Sequence, residues 1–259
     1  MKTYRSRKKR KISVLLILLI FTTCLAVVGF WFLFHQRPAR RHGELGKIEG
    51  YETLNIQGEV EVRDESLLVP DYTGEPYYVI QQSPSITESE IEGARESYIH
   101  LPELDFLGRC GTVYASLSLD TLPEDDRESI GMVKPSGWHT VRYDDLIEDK
   151  YLYNRCHLIA HCLSGLNAEE KNLITGTRYM NVEGMLPFEV ETVRYIERTG
   201  NHVFYRVTPI FEGEDLVCKG VRMEAYSIED NGELSFDVFC YNVQPRIIID
   251  YRTGGSSRE

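Results

Sequence analysis

Between Tyr151 and Glu189 the chain reads YLYNRCHLIAHCLSGLNAEEKNLITGTRYMNVEGMLPFE. It places a histidine behind an arginine and a cysteine, two asparagines nine apart, and a glutamate eight further on. His157 carries an imidazole that titrates near neutrality and can take a proton from water. Arg155, two residues before it, shares its face if the stretch is a strand, and a guanidinium fork matches phosphodiester oxygens. Asn181 and Glu189 offer an amide oxygen and a carboxylate, hard ligands that magnesium accepts with water completing its shell. Eight residues is just over two helical turns, so both can face one side of a helix. Asn172 reads as a loop-fixing amide and not as a ligand. Cys156 suggests a thiol nucleophile beside His157, but adjacent strand residues face opposite ways. His161 is read as facing solvent. Each residue also has an ordinary explanation: a structural histidine, a surface ion pair for Arg155, a helix N-cap for Asn181, a solvated helix face for Glu189.

These groups need elements to hold them. Tyr151–Ile159 is predicted as a strand ending in a loop. A helix is predicted from about Val182 or Met185 to Arg198, because Met185, Phe188, Val193 and Ile196 share an apolar face. Pro187 suits its first turn and Gly200 ends it. Upstream, Tyr77–Ile80 and Val113–Leu119 read as strands and Thr87–Arg95 as a short helix or loop. The acidic Leu122–Ile130 reads as a helical turn capped near Thr121, and Lys134–His139 as a turn or loop. Downstream, Val203–Ile210, Leu216–Ser227 and Leu234–Val243 read as strands, with a hairpin signal at Asp230–Glu233. Strands on both sides of a short helical middle give an α+β class with a largely antiparallel sheet flanked by helices.

Charge is divided unevenly along the 259 residues. Ten of the 29 basic residues and none of the 40 acids fall before residue 43, so the remainder carries 19 basic residues against 40 acidic, a net of −21. Such a domain does not hold polyanions by bulk charge and needs a local basic patch or a divalent cation to do so. The seven lysines and arginines within residues 2–11 precede 23 uncharged residues, Ile12 to Phe34. As a helix that run covers about 34 Å, enough for a bilayer core. The apolar part of a cleaved leader is shorter, about 7–15 residues, so an uncleaved anchor is expected. The basic side then stays cytoplasmic and the C-terminal bulk lies outside. Five cysteines follow the apolar run, an odd number that cannot all pair within the chain, at spacings that match no zinc motif.

The central stretch resembles the DNA/RNA non-specific endonucleases of the ββα-metal (His-Me finger) class, particularly their membrane-anchored bacterial branch. That family carries Asp-Arg-Gly-His, then an asparagine, then a glutamate eight residues later. Here the motif reads Asn154-Arg155-Cys156-His157, the asparagine is Asn181 and the glutamate is Glu189. A second family asparagine matches Asn172, and Asn242-Val243-Gln244 with Asp250–Gly254 resembles the branch's C-terminus. The resemblance spans about Leu101 to Gly254. It implies that His157 is the general base, Asn181 the direct ligand of one magnesium, and Glu189 a ligand through water. Arg155 would contact phosphate or steady the site, with Asn154 and Asn172 in support. Manganese would substitute for magnesium, and products would carry 5′-phosphates. DNA and RNA, single- or double-stranded, would be the substrates. Asn154 for Asp and Cys156 for Gly depart from the family motif. Arg142 and Arg178 are further candidate phosphate contacts that no motif match supports. The expected layout is a cytoplasmic basic segment (1–11), a transmembrane anchor (12–34), a linker (35–69), an extracellular nuclease domain (70–254) and a short tail (255–259). The competing readings are a surface binding module that keeps the fold without the chemistry, and a cysteine hydrolase using Cys156.

Overall fold

The computed structural model describes residues 69–259; the segments expected as cytoplasmic, transmembrane and almost all of the linker lie outside the described residues. Among the described residues, no helix is long and apolar enough to cross a membrane. The elements are β1 (Tyr77–Gln81), α1 (Glu88–Gly93), β2 (Tyr98–His100), β3 (Val113–Leu117), a 3-10 turn (Leu119–Thr121), β4 (Tyr153–His157) and α2 (His161–Ser164). A second 3-10 turn (Glu170–Asn172), β5 (Leu173–Thr177), a π turn (Met180–Met185) and α3 (Leu186–Thr199) follow. The chain then runs through β6 (Val203–Ile210), β7 (Gly220–Ser227), β8 (Ser235–Tyr241), β9 (Ile247–Asp250) and β10 (Gly255–Arg258).

Six strands form one antiparallel sheet in the order β1-β8-β7-β6-β3-β2. Alternation sends Val203, Tyr205 and Val207 of β6 to one face, where they join Ala115, Met223 and Val238 in the main core. The opposite face carries a row of charges that are satisfied across the strands. Arg206 pairs with Glu224, and Arg222 forks onto both oxygens of Asp237 at 2.7 Å. Glu224 and Asp237 are fully buried, so these bonds are required to offset the cost of desolvation.

The expected helical turn in Leu122–Ile130 is not formed. A 3-10 turn precedes the segment at Leu119–Thr121, capped by Ser118, whose hydroxyl accepts from Asp120 N. Glu124, Asp125 and Glu128 would stand three and four apart on a helix and repel one another. The strands at Val113 and Tyr151 are shorter than expected, and the first of them stops where Ser118 caps the turn. Residues 255–258, expected as tail, form β10: Gly254 takes φ +84°, its N–H donates to Asp250 O at 2.7 Å, and the chain turns back onto β9.

Adjacent strands β3 and β6 are separated by a long excursion, since Leu117 faces Val203 and everything from 118 to 202 leaves and returns at that pair. Within it, β4 and β5 form their own antiparallel ribbon, with His157 opposite Leu173 and Tyr153 opposite Thr177. The π turn and α3 follow directly, so the excursion carries a β-β-α unit. Asn242, fully buried after β8, pins this unit to the sheet: its Oδ1 accepts from Thr177 N at 2.8 Å and its Nδ2 donates to Thr175 O at 3.0 Å. A second small core of Tyr143, Ile147, Leu152, Tyr153 and Ile247 supports the start of β4.

Candidate active site

His157 ends β4 and is 6 % exposed. Its Nε2 lies 2.9 Å from the backbone carbonyl of Asn167. A carbonyl only accepts, so Nε2 carries the proton and Nδ1 keeps the basic lone pair. Burial pushes the imidazole down to about 4, against the upward pull of the Asn167 carbonyl, and the charges of Arg127 and His161 push the same way as burial. The ring is therefore neutral at pH 7. Asn172 fixes the backbone just beyond it. Its Oδ1 accepts from Ile159 N and its Nδ2 donates to Ile159 O, both at 2.9 Å, while its own carbonyl accepts from Leu158 N at 2.9 Å. That is the loop-fixing geometry, and the amide is wholly buried.

Asn181 lies in the π turn that opens α3, where Leu186 N–H reaches back five residues to its carbonyl. It does not cap the helix; Met185 occupies that position without a side-chain bond. On a regular α-helix two residues eight apart end about 80° out of line. A turn closed i→i+5 winds more slowly and reduces that offset. The π turn thus swings Asn181 toward the side of α3 that carries Glu189. Gly184 lets the turn sit close to the sheet, since a Cβ there would stand 3.2 Å from Cys240 Cβ. Glu189, in the first turn of α3, is 8 % exposed and makes no hydrogen bond among the described residues. Burial raises its carboxyl to about 7, with Arg127 drawing it down. The Asn181 side chain likewise makes no hydrogen bond among the described residues.

The charge of Arg127, a residue not singled out in the sequence, reaches the site. It is exposed, in an irregular segment, and among the described residues it is the cation whose charge acts on both His157 and Glu189. Its neighbour Glu128 donates its N–H to Asn167 Oδ1 at 2.9 Å. Asn167 thereby holds the His157 ring with its carbonyl and the Arg127 segment with its side chain. The four acids at 124–126 and 128 hid this arginine in a run that read as a solvated acidic turn. Half-buried His161 heads α2 and lines a cavity of about 520 Å³ whose other walls include Tyr98, Asp126, Glu128 and Asn167.

Arg155 is occupied otherwise. Its Nη2 donates to Gly131 O at 2.8 Å, its Nε to Val133 O, and its guanidinium stacks 3.9 Å over the Trp138 ring. Those bonds tie the 131–138 loop to β4. Half-buried Asn154 sits opposite Gly176 with no side-chain bond among the described residues. Arg142 pairs with Asp144, Arg178 with Asp149, and both lie at the end of β4 away from His157. Cys156 faces the main core, and burial pushes its thiol well above the ordinary value. A thiol that is wholly buried in the core and held in its protonated form does not serve as the nucleophile, which argues against the cysteine hydrolase.

Among the described residues no three His, Cys, Asp or Glu side chains gather as a metal cage. The Glu189 carboxylate and the Asn181 amide oxygen, eight residues apart and each without a hydrogen bond among the described residues, nevertheless fit a hard cation that keeps most of its water. They do not fit the closed nitrogen and sulfur shell of structural zinc.

A family profile described as DNA/RNA non-specific endonuclease matches residues 87–229, more than half of the chain. A deoxyribonuclease of Streptococcus dysgalactiae subsp. equisimilis is 30% identical over 112 residues, 41% of this chain and 33% of that protein, so the chain spans about a third of that relative's length. NucA from Streptococcus agalactiae, solved with magnesium bound, superposes with a TM-score of 0.57 at 26% identity over 63% of this chain and 80% of NucA. Sda1 nuclease, solved with a zinc ion, superposes with a TM-score of 0.59 at 25% identity over 71% of this chain and 97% of Sda1.

Proposed function

The chain belongs to the DNA/RNA non-specific endonucleases, and from that premise we propose that it hydrolyses phosphodiester bonds of DNA and RNA, single- or double-stranded, leaving 5′-phosphate ends. The observation that carries this reading is a buried imidazole and a buried carboxylate, unbonded among the described residues, carried by one β-β-α unit and both felt by the charge of Arg127. His157 Nδ1 accepts a proton from the water that attacks phosphorus, and Asn167 holds the ring so that this nitrogen stays the basic one. Arg127 offers its guanidinium to the phosphate oxygens as negative charge builds on them. Asn172 keeps the chain after His157 from moving during proton transfer. Asn181 directly, and Glu189 through water, would hold one magnesium, or manganese in its place. When bound, that cation supplies the positive charge that the acidic domain lacks and stabilises the departing 3′ oxygen.

The basic and then apolar start of the chain supports a single-pass anchor, with the nuclease on the outer face of a bacterial membrane. The test uses the purified chain with plasmid, single-stranded DNA and RNA, with and without magnesium. Magnesium-dependent cleavage of all three is expected, with a loss on the order of 10²–10⁴ in His157→Ala. Cleavage that survives in His157→Ala defeats the mechanism. A folded, magnesium-loaded protein that cleaves nothing establishes the inert surface module instead.

A further inference from the structure

A second group of cations and a ring stands at the end of β4 away from His157. Arg142 bridges Tyr151 across a short antiparallel contact, and its guanidinium lies 5.3 Å from the centre of the Tyr151 ring. Arg178 joins from the other side, its N–H donating to Leu152 O at 2.8 Å. Tyr151 is 46 % exposed, and the Arg142 and Arg178 side chains are 49 % and 37 % exposed. One loop supplies a carboxylate to each arginine: Asp144 at 2.9 Å from Arg142, and Asp149 on Arg178. The loop is closed on itself by Tyr143 N donating to Lys150 O at 2.8 Å. It is anchored through Asp145, whose two oxygens accept from Arg258 at 2.8 and 2.7 Å.

The geometry points to a docking surface for a nucleic-acid strand on Arg142, Tyr151 and Arg178, whose arginines Asp144 and Asp149 keep aligned until phosphates replace those carboxylates. This rests on the nuclease reading above and names where a long substrate is held beyond the reacting phosphate. Exposed ion pairs are worth little in water and exchange readily. A phosphate offers an arginine the same charge-assisted bonds as a carboxylate, and a polymer of phosphates also releases counterions. The arginines need no ordering at the moment of binding, because the loop already extends them. Tyr151 gives an unpaired base a ring to stack on. Arg178 stands three residues before Asn181, so the same strand continues toward the catalytic turn. Six residues separate Tyr151 from His157, at most about 20 Å of extended chain. About six base steps of 3.4 Å cover that limit, so a 20-mer spans both places at once while a tetranucleotide has few phosphates to share between them.

The experiment measures affinity in the full chain carrying His157→Ala, for a single-stranded tetranucleotide and a 20-mer of about fivefold greater length, over a range of salt. Arg142→Gln with Arg178→Gln is expected to flatten the slope of log K against log salt for the 20-mer by about 1.4, two contacts at roughly 0.7 each. The 20-mer should lose about tenfold in affinity and the tetranucleotide less than threefold. Asp144→Asn with Asp149→Asn should tighten the 20-mer. Tyr151→Leu should weaken the 20-mer and leave inorganic polyphosphate alone. An unchanged salt slope, an equal loss on both lengths, or a Tyr151→Leu effect equal on polyphosphate overturns the surface. If the His157-bearing chain cleaves both lengths and the slope is still unmoved, the surface alone fails. If that chain cleaves nothing yet the arginine variant still flattens the slope, the nuclease reading fails and the surface stands.

Discussion

Glu189 and His157 are both held in their neutral forms by burial, and they respond to acid in opposite senses. The imidazole falls from 6.5 to about 4 on folding. The unfolded chain therefore binds the proton first, and the stability His157 contributes is lost as pH falls through that window. The carboxyl rises from 4.5 to about 7, so the stability Glu189 contributes is present below 4.5 and is lost as pH rises through 7. At pH 8 an ionised Glu189, unbonded among the described residues, costs the metal-free protein on the order of 3 kcal/mol. Glu189→Gln is expected to raise the melting temperature of metal-free protein at pH 8 and to abolish the further rise expected when magnesium is added to the parent. A melt at pH 8 that is unchanged or lowered would show that water or Arg127 already satisfies the carboxylate. These environments are invisible in the sequence. Residue type named His157, Asn181 and Glu189, but Arg127 and Asn167 act through position and through a backbone carbonyl, which no residue type announces.

The ribbon of β4 and β5 is set by a missing side chain. A Cβ on Gly176 would meet Cys156 Sγ and stand 2.6 Å from Met180 Cε. Gly176→Ala is therefore expected to destabilise by about 1–3 kcal/mol through overpacking. In a Cys156→Ala background the added methyl has room, so the two changes should be less than additive in denaturant melts. Strict additivity would mean that the cysteine does not fill that space. This contact also gives Cys156 a structural place in the motif, packed under β5 and away from the reacting ring. The helix α3 was legible because Met185, Phe188 and Ile196 repeat on one face and Gly200 stops it at φ +72°. β5 was not legible: LITGT is five residues, lacks alternation, and is buried at every position, so it carries no period for a half-exposed strand. The π turn escaped for a related reason, since sequence periodicity registers 3.6 residues per turn and not a local widening.

At the scale of the molecule the domain is held by packing and not by covalent links. All five cysteines of the described residues are free, four of them buried, and burial pushes Cys110 and Cys218 up to about 12. Reductant is expected to leave the melting temperature within about 1 °C, whereas a contributing disulfide would move it by several degrees. A larger drop would reveal a cross-link and overturn this account. The antiparallel order of the large sheet was anticipated from the alternating downstream segments and the Asp230–Glu233 hairpin, where Asn231 and Gly232 take φ +57° and +90°. The pairing of β1 with β8 was not, because nothing local in either strand states its partner 160 residues away.

The facing of Leu117 and Val203 has a bearing on how such a chain could arise and diverge. A chain joining those two residues through a tight reverse turn would still lay β3 against β6, and the sheet would read as an unbroken meander from β2 through β8. The hydrolytic apparatus is topologically an insertion into that meander, entering and leaving through one doorway. Any exchange of it would have to replace the apolar cover that Leu163, Ile174, Met180 and Ile196 give the sheet, as well as the fastening at Asn242.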